Sequence, residues 1–363
     1  MHIGILGGGQ LGRMLMLAGY PLGIRCRCLD PATDPCAAQV GECLHGDFDD
    51  YRALYQFASG LDLVTYEFEN VPVESARWLG DRLPVWPPTE TLAIAQDRVA
   101  EKSFFESLDI PVPVFAAVDS AADFERALGR IGLPAVLKTT RFGYDGKGQA
   151  VLRNRYDAEL AWTRLAGRPL ILEAFVPFER ELSILGVRSL TGEMAFYPLV
   201  ENEHRDGMLR RTTAPAPDVA PELQSRAESY ARRALEALEY VGVLAIELFQ
   251  LGSDLLVNEM APRVHNSGHW TIEGARTSQF ENHLRAVAGL PLGPTEPVGC
   301  SELWNLVGTL PNIQCVLAVP GAHLHLYGKN PRPNRKLGHI TVCAHTPSER
   351  DARLKELSAA LVE

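Results

Sequence analysis

The sequence predicts a mixed α/β and α+β architecture. A Rossmann-like domain with a parallel sheet comes first, a β-rich middle follows, and a small β-rich module closes the chain. Three observations predict it. The first ~95 residues alternate short β-rich runs with helical patterns, as βαβ units do. From about Leu170 the chain turns to longer strands joined by tight turns. At 363 residues and 46% hydrophobic content, it can bury more than one core.

Composition narrows the partners. The net charge is −10 and no basic run offsets it, which argues against nucleic acid or an anionic membrane. Any phosphate must therefore be bound locally, in a pocket. The apolar runs are too short to span a bilayer. The opening Met1-His2-Ile3-Gly4-Ile5-Leu6 reads as a buried strand and not as a targeting segment. Seven cysteines without a C-x-x-C pair suit a reducing compartment and predict neither a disulfide frame nor a zinc site. A cytoplasmic protein is expected.

Four segments follow in order. Segment 1–95 holds strands at His2–Leu6, Ile24–Leu29 and Leu61–Thr65, with helices starting near Gln10 and Asp49. Pro84, Pro87 and Pro88 interrupt it, and Thr89 to Leu108 reads as one helix. Segment 96–170 carries the helix Ala121–Ile131, the strand Ala135–Thr139 and a glycine-rich loop from Arg141 to Gln149. Segment 171–290 contains strands near 170–176 and 180–187, a helix near Glu222–Glu239 and a hairpin over Val243–Met260. Segment 291–363 has short β-rich runs and a final helix, Ser348–Leu361.

Gly7-Gly8-Gly9-Gln10-Leu11-Gly12 follows a strand, opens a helix and fits G-x-G-x-x-G. Asp30 ends the next strand, where a dinucleotide-binding fold places its ribose acid. An NAD-dependent oxidoreductase is one reading. The physics is less specific, since glycines at a helix N-terminus let N–H groups approach any phosphate, or simply make a tight turn.

The hairpin is more informative. A three-residue turn, Gly252-Ser253-Asp254, pairs Glu247 with Glu259, on a face shared with Ala245, Phe249, Leu255 and Val257. Like charges standing opposite each other repel, and burial worsens this. A divalent cation removes both penalties. Magnesium is the best candidate, because it accepts few protein carboxylates and completes its shell with phosphate oxygens.

Lys138 ends an apolar strand just before Arg141-Phe142-Gly143-Tyr144-Asp145-Gly146-Lys147-Gly148-Gln149. Three glycines among charges suit a flap whose N–H groups cover phosphates. The loop is not a P-loop, since G-x-x-x-x-G-K-[ST] is absent. A dehydrogenase needs neither this loop nor a paired-carboxylate metal site, so ATP is the better ligand.

Together these segments resemble the ATP-grasp enzymes, and among them the carboxylating ligases of purine synthesis. The resemblance spans nearly the whole chain. Its most specific parts are Gly143–Gln149, the run Asn258-Glu259-Met260-Ala261-Pro262-Arg263-Val264-His265-Asn266-Ser267-Gly268-His269-Trp270-Thr271, and Tyr327 to His339. It implies an ATP-grasp fold behind a pre-ATP-grasp domain, ATP and Mg2+ as cofactors, bicarbonate and 5-aminoimidazole ribonucleotide as substrates, and a homodimer.

By the same resemblance, Arg98 and Lys138 contact the ATP phosphates, under the flap Gly143, Tyr144, Asp145, Gly146, Lys147, Gly148 and Gln149. Glu173, Ala174, Phe175 and Val176 form the linker that reads adenine, Glu181 takes the ribose, and His204 lies close by. Glu247 and Glu259 hold magnesium, with Asn258 beside them. Arg263, His265 and Asn266 surround bicarbonate, and Lys329 lies near the reacting amine. Gln10, Leu11, Glu69, Lys329, Arg335 and Lys336 contact the ribonucleotide. A formate-activating ligase of glycinamide ribonucleotide is the nearest competitor, and it lacks the Val264–Thr271 run. His323 and His325 read as ordinary surface or core residues.

Overall fold

The computed structural model describes residues 1–141, 143 and 148–360; the expected flap residues Phe142, Tyr144, Asp145, Gly146 and Lys147 lie outside the described residues. Strands β1 (His2–Leu6), β2 (Arg25–Asp30), β3 (Glu42–His45) and β4 (Leu63–Tyr66) form a parallel sheet in the order β3-β2-β1-β4. The period-2 pattern of β1 accounts for its two-sided burial. Ile3 and Ile5 join a core with Leu11 and Leu15 of the helix Gln10–Gly19, while Leu6 joins one with Leu54 and Phe57 of the helix Tyr51–Ala58. The order reverses at β1, so the turn after it opens at a switch point, where α/β sheets bind ligands.

Two expectations are corrected in this region. Cys28 and Cys43, register partners on β2 and β3, form a disulfide. The expected helix Thr89–Leu108 is two helices, Thr89–Ala95 and Arg98–Ser107. Asp97 breaks it by going extended and capping the N–H groups of Val99 and Ala100 with its carboxylate.

The second sheet is antiparallel. Strands β5 (Phe115–Val118), β6 (Ala135–Thr139), β7 (Gln149–Leu152) and β8 (Leu170–Ala174) run in the order β5-β8-β6-β7. Phe124 and Leu128 of the helix Ala121–Ile131 and Leu165 of the helix Arg155–Leu165 pack with Leu137, Leu152 and Leu172 of the sheet.

The third sheet has nine strands: β9 (Arg180–Arg188), β10 (Met194–Phe196), β11 (Val200–Arg205), β12 (Met208–Ala214), β13 (Gly242–Leu251), β14 (Asp254–Ala261), β15 (Cys300–Val307), β16 (Ala322–Leu326) and β17 (Lys336–Ala344). Its path is β14-β13-β9-β11-β12-β15-β17-β16, with β10 beside β9. The C-terminal strands thus extend the central sheet through the β12–β15 pair. The helix Pro221–Ala237 covers one face, and the helix Gln279–Val287 packs the other against the helix Gln10–Gly19. His325 bonds Glu273 at 2.6 Å and stacks on His339, while His323 is exposed. Among the described residues, no helix is long and apolar enough to cross a membrane.

Candidate active site

The hairpin sets the centre of the site, by a route the sequence does not show. Leu251 pairs with Asp254, so only Gly252 and Ser253 form the turn. That turn alone would bring Asn258 opposite Glu247. A bulge at Asn258 shifts the register by one residue, and Glu247 faces Glu259. The same bulge corrects the face assignment. Leu255 and Val257 lie on the other side, in the core with Leu248, while Phe249 keeps company with Glu247.

Burial, then the charge of Glu259, pushes the Glu247 carboxyl up to about 7. Burial acts on Glu259 in the same sense. The Arg98 guanidinium, 2.8 Å away, with Lys138 and Lys102 behind it, overcomes this and holds Glu259 below the usual carboxylate range. Asn258 Oδ1 is buried without a hydrogen-bond partner among the described residues. Two carboxylates and an orphaned carbonyl oxygen, all on one wall, fit a hard cation such as magnesium. Among the described residues there is no denser cluster of His, Cys, Asp and Glu that could hold a metal.

These residues line a cleft of about 400 Å³ that also gathers Gln10, Leu11, Glu69, Lys138, Gly143, Gln149, Glu181, His204, Arg263, His265, Asn266 and Lys336. Val136, Val151 and the stacked rings of Phe178 and Phe249, 4.7 Å apart, give it an apolar wall. Lys138 Nζ lies 3.0 Å from Glu173 Oε2, and Glu181 bonds His204 Nδ1. That bond and the charge of Glu247 raise the His204 pKa despite burial, which works against it. Glu173, Ala174, Phe175 and Val176 are not in the cleft lining. The Glu173 carboxylate turns to Lys138 and Lys102, and the N–H groups of Ala174 and Phe175 donate to the carbonyls of Val114 and Pro134. Gly148, with φ +73, closes on Thr139 and also lies off the lining.

Arg263, His265 and Asn266 leave β14 together. Arg263 Nη2 meets Glu69 Oε2 at 2.9 Å, and the two amides of Asn266 and Asn305 bond each other. Burial and the nearby Arg263 charge hold the His265 pKa well below its ordinary value. Ser267 N–H donates to its Nδ1, so the neutral ring carries its proton on Nε2, 3.3 Å from Glu247 Oε1.

The glycine turn is not free to bind a dinucleotide. Gly8 N–H donates to Asp30 Oδ2 at 2.7 Å, and Gly9 N–H donates to Glu67 Oε1 at 2.8 Å. Gly7 has φ +105, and a Cβ there would meet Glu67 at 2.6 Å. Asp30 and Glu67 thus occupy the donors that a pyrophosphate would need. Beside the turn lies a second cleft, of about 560 Å³, lined by Gly8, Gly9, Asp30 to Cys36, Gln39, Lys329, Asn330 and Arg335. Lys329 Nζ bonds Gln10 Oε1 at 2.5 Å and joins the two clefts. Arg335 and Lys336, adjacent in sequence, therefore line different clefts.

Sequence reasoning missed Glu67, Glu101 and Lys102, three buried charged residues. Arg98, Glu101 and Lys102 stand at i, i+3 and i+4 of one helix, so they share a face. Three charges on the face turned to the edge strand β14 were a readable signal.

The chain is similar to known proteins over nearly its whole length. The chain matches the models of the ribonucleotide synthetase preATP-grasp domain over residues 1–96, the ATP-grasp domain over 103–280 and the phosphoribosylaminoimidazole carboxylase C-terminal domain over 301–353. It is 52% identical to the N5-carboxyaminoimidazole ribonucleotide synthase of Pseudomonas aeruginosa, covering 99% of both chains. The crystal structure of the N5-carboxyaminoimidazole ribonucleotide synthetase of Thermus thermophilus superposes with a TM-score of 0.96 at 60% identity, again over 99% of both chains. An Aspergillus clavatus N5-carboxyaminoimidazole synthase, in complex with ADP and 5-aminoimidazole ribonucleotide, superposes at 0.92 with 31% identity, over 99% of this chain and 98% of that one. With the order of elements, the carboxylate hairpin and the basic C-terminal loop all in place, the chain belongs to the N5-carboxyaminoimidazole ribonucleotide synthase family of ATP-grasp ligases.

Proposed function

We propose that the chain carboxylates the exocyclic amine of 5-aminoimidazole ribonucleotide with bicarbonate, converting ATP to ADP and phosphate, in de novo purine synthesis. One observation carries the reading: a single cleft gathers the cations Arg98 and Lys138, the carboxylate pair, and Arg263, His265 and Asn266, and Lys329 joins it to a second, basic-edged cleft. Adenine fits the apolar wall of Val136, Val151, Phe178 and Phe249, and Glu181 and His204 stand where the ribose hydroxyls would come.

Bicarbonate oxygen attacks the γ-phosphorus, the bond to ADP breaks, and carboxyphosphate forms. The carboxyphosphate then delivers carbon dioxide to the amine nitrogen: its carbon–oxygen bond to phosphate breaks, the nitrogen–carbon bond forms, and the amine proton leaves with phosphate. Arg98 and Lys138 donate to the phosphoryl oxygens, and Arg263 holds the carboxylate end. His265 contributes an N–H without a second positive charge. Glu247, Glu259 and Asn258 would hold magnesium, which when bound supplies charge neutralisation at the transferring phosphoryl group. The walls exclude water from a labile acyl phosphate and hold the amine close to it. The family pattern further implies a homodimer acting in the cytoplasm.

The test is ADP release with each acid and acceptor pair. Turnover should require both bicarbonate and 5-aminoimidazole ribonucleotide, with labelled bicarbonate carbon in the product. Turnover with formate and glycinamide ribonucleotide in their place would reject the assignment.

A further inference from the structure

β14 is the outer strand of its sheet, and among the described residues no neighbouring strand satisfies its free edge. Side chains from the helix Arg98–Ser107 do so instead, and they act at the bulge. Lys102 is fully buried and donates to the carbonyl of Val257 at 3.2 Å and to that of Asn258 at 2.6 Å. Its neighbour Glu101 accepts the Met260 N–H at 2.6 Å, and the Val257 N–H donates to the Pro111 carbonyl. Four backbone groups around the extra residue thus have partners outside the sheet.

The energetic consequence follows from strand geometry. Without the bulge, continuing the register of Leu248 with Val257 puts Asn258 opposite Glu247. Glu259 would then turn to the opposite face, the core that holds Ile246 and Met260. A buried ammonium needs several oxygen acceptors, and here two carbonyls of the bulge supply them. The carboxylate of Glu173, 3.7 Å from Lys102 Nζ, balances its charge and also reaches Lys138 at 3.0 Å. The bulge, the carboxylate pair and a phosphate-side lysine therefore share one buried network.

We propose that Lys102, assisted by Glu101, is a positioning residue for the magnesium centre: it holds the β14 bulge that brings Glu259 opposite Glu247. The inference rests on the magnesium reading of Glu247 and Glu259. Its chemistry is that of an outer partner that orients a metal ligand, and it needs no contact between Lys102 and substrate.

The test separates metal binding from nucleotide binding. Lys102→Met keeps the length and removes the charge; Glu101→Leu removes the acceptor for Met260 N–H together with its carboxyl. ADP binding is measured by calorimetry with and without magnesium, and the magnesium dependence of ADP formation is measured alongside. The expected result is metal-free ADP affinity close to that of the unaltered protein, with the magnesium needed for half-maximal rate raised by about tenfold or more, as for other outer partners of metal ligands. An unchanged magnesium requirement in either folded variant overturns the proposal. If Lys102→Met does not fold, the Glu101→Leu variant decides alone by the same two measurements. Glu259→Gln is run in parallel. If it too leaves the magnesium requirement unchanged, the metal reading fails; if it abolishes the response while Lys102→Met and Glu101→Leu keep it, only the positioning role fails.

Discussion

Lys329 Nζ meets Gln10 Oε1 at 2.5 Å, a bond between the two ends of the chain across 319 residues. Gln10 opens the first helix after the glycine turn, and Lys329 sits in the basic loop between β16 and β17. Both clefts meet at this bond, so the amine-bearing substrate should lie across it. Burial also lowers the Lys329 pKa, although the ammonium keeps Glu67 nearby.

Replacing Lys329 with Ala should therefore raise KM for the ribonucleotide by about 10- to 100-fold, the loss of one or two charge-assisted hydrogen bonds. KM for ATP should change little, and kcat should fall as well. Arg335→Ala should raise only the ribonucleotide KM. Steady-state kinetics with each substrate varied in turn measures both; equal losses for ATP and ribonucleotide would remove the second cleft from the substrate site.

Glu247→Gln and Glu259→Gln should each lower turnover by at least about 10³-fold, as expected when charge stabilisation at a transferring phosphoryl group is lost. The fold should remain intact. Circular dichroism and ADP release check the two halves of this statement, and normal magnesium-dependent turnover in both variants would sink the metal assignment.

The Glu247 carboxyl, up to about 7 in the folded chain against an ordinary 4.5, makes stability depend on pH. A raised folded pKa means that the protonated form favours folding. Its contribution is complete below pH 4.5 and is lost as pH rises through about 7. Glu101, raised to about 8, adds a slope of the same sign. The buried histidines His265, His269, His283 and His339, all held below their ordinary range by burial, act with the opposite sign. The measurable effect is therefore a difference: over this window the urea midpoint of metal-free protein should fall relative to that of Glu247→Gln. Binding of magnesium-ADP at pH 6 should release protons from the unaltered protein but fewer from that variant. Calorimetry in buffers of different ionisation enthalpy measures the release.

Asp30 and Glu67 already accept the N–H groups of Gly8 and Gly9. NADH should consequently give no shift in melting temperature at millimolar concentration. Asp30→Ala should destabilise the chain by about 1–3 kcal/mol, the cost of leaving a part-buried donor unpaired. Urea unfolding tests this; a neutral substitution, or saturable NADH binding, would reopen the dinucleotide reading of the turn.

Most of the fold was legible because its signals are local. The alternation in His2–Leu6 and the amphipathic run Ala121–Ile131 need only a few neighbouring residues to be read, and both elements appear where the pattern puts them. The break at Asp97 was less visible, since helical periodicity continues across it and only the capping side chain interrupts the ladder. The hairpin is the instructive case. The facing of Glu247 and Glu259 was expected from a three-residue turn, whereas a two-residue turn and a bulge produce it. A bulge depends on contacts from Glu101 and Lys102, which lie far away in sequence, so no local pattern announces it. The cysteine count predicted no disulfide, because the pairing of Cys28 with Cys43 follows from the β2–β3 register and not from spacing.

The β12–β15 pair has a practical consequence for anyone cutting this protein. Thr212 faces Leu303 and Arg211 faces Trp304 in a continuous ladder, with β17 and β16 beyond them. A chain stopped before Cys300 would not yield a smaller, free-standing nucleotide-binding core. It would bare the outer edge of β12 over Arg211–Ala214, an open template for another copy of the fragment. Such a fragment is expected to come out of a cell as inclusion bodies.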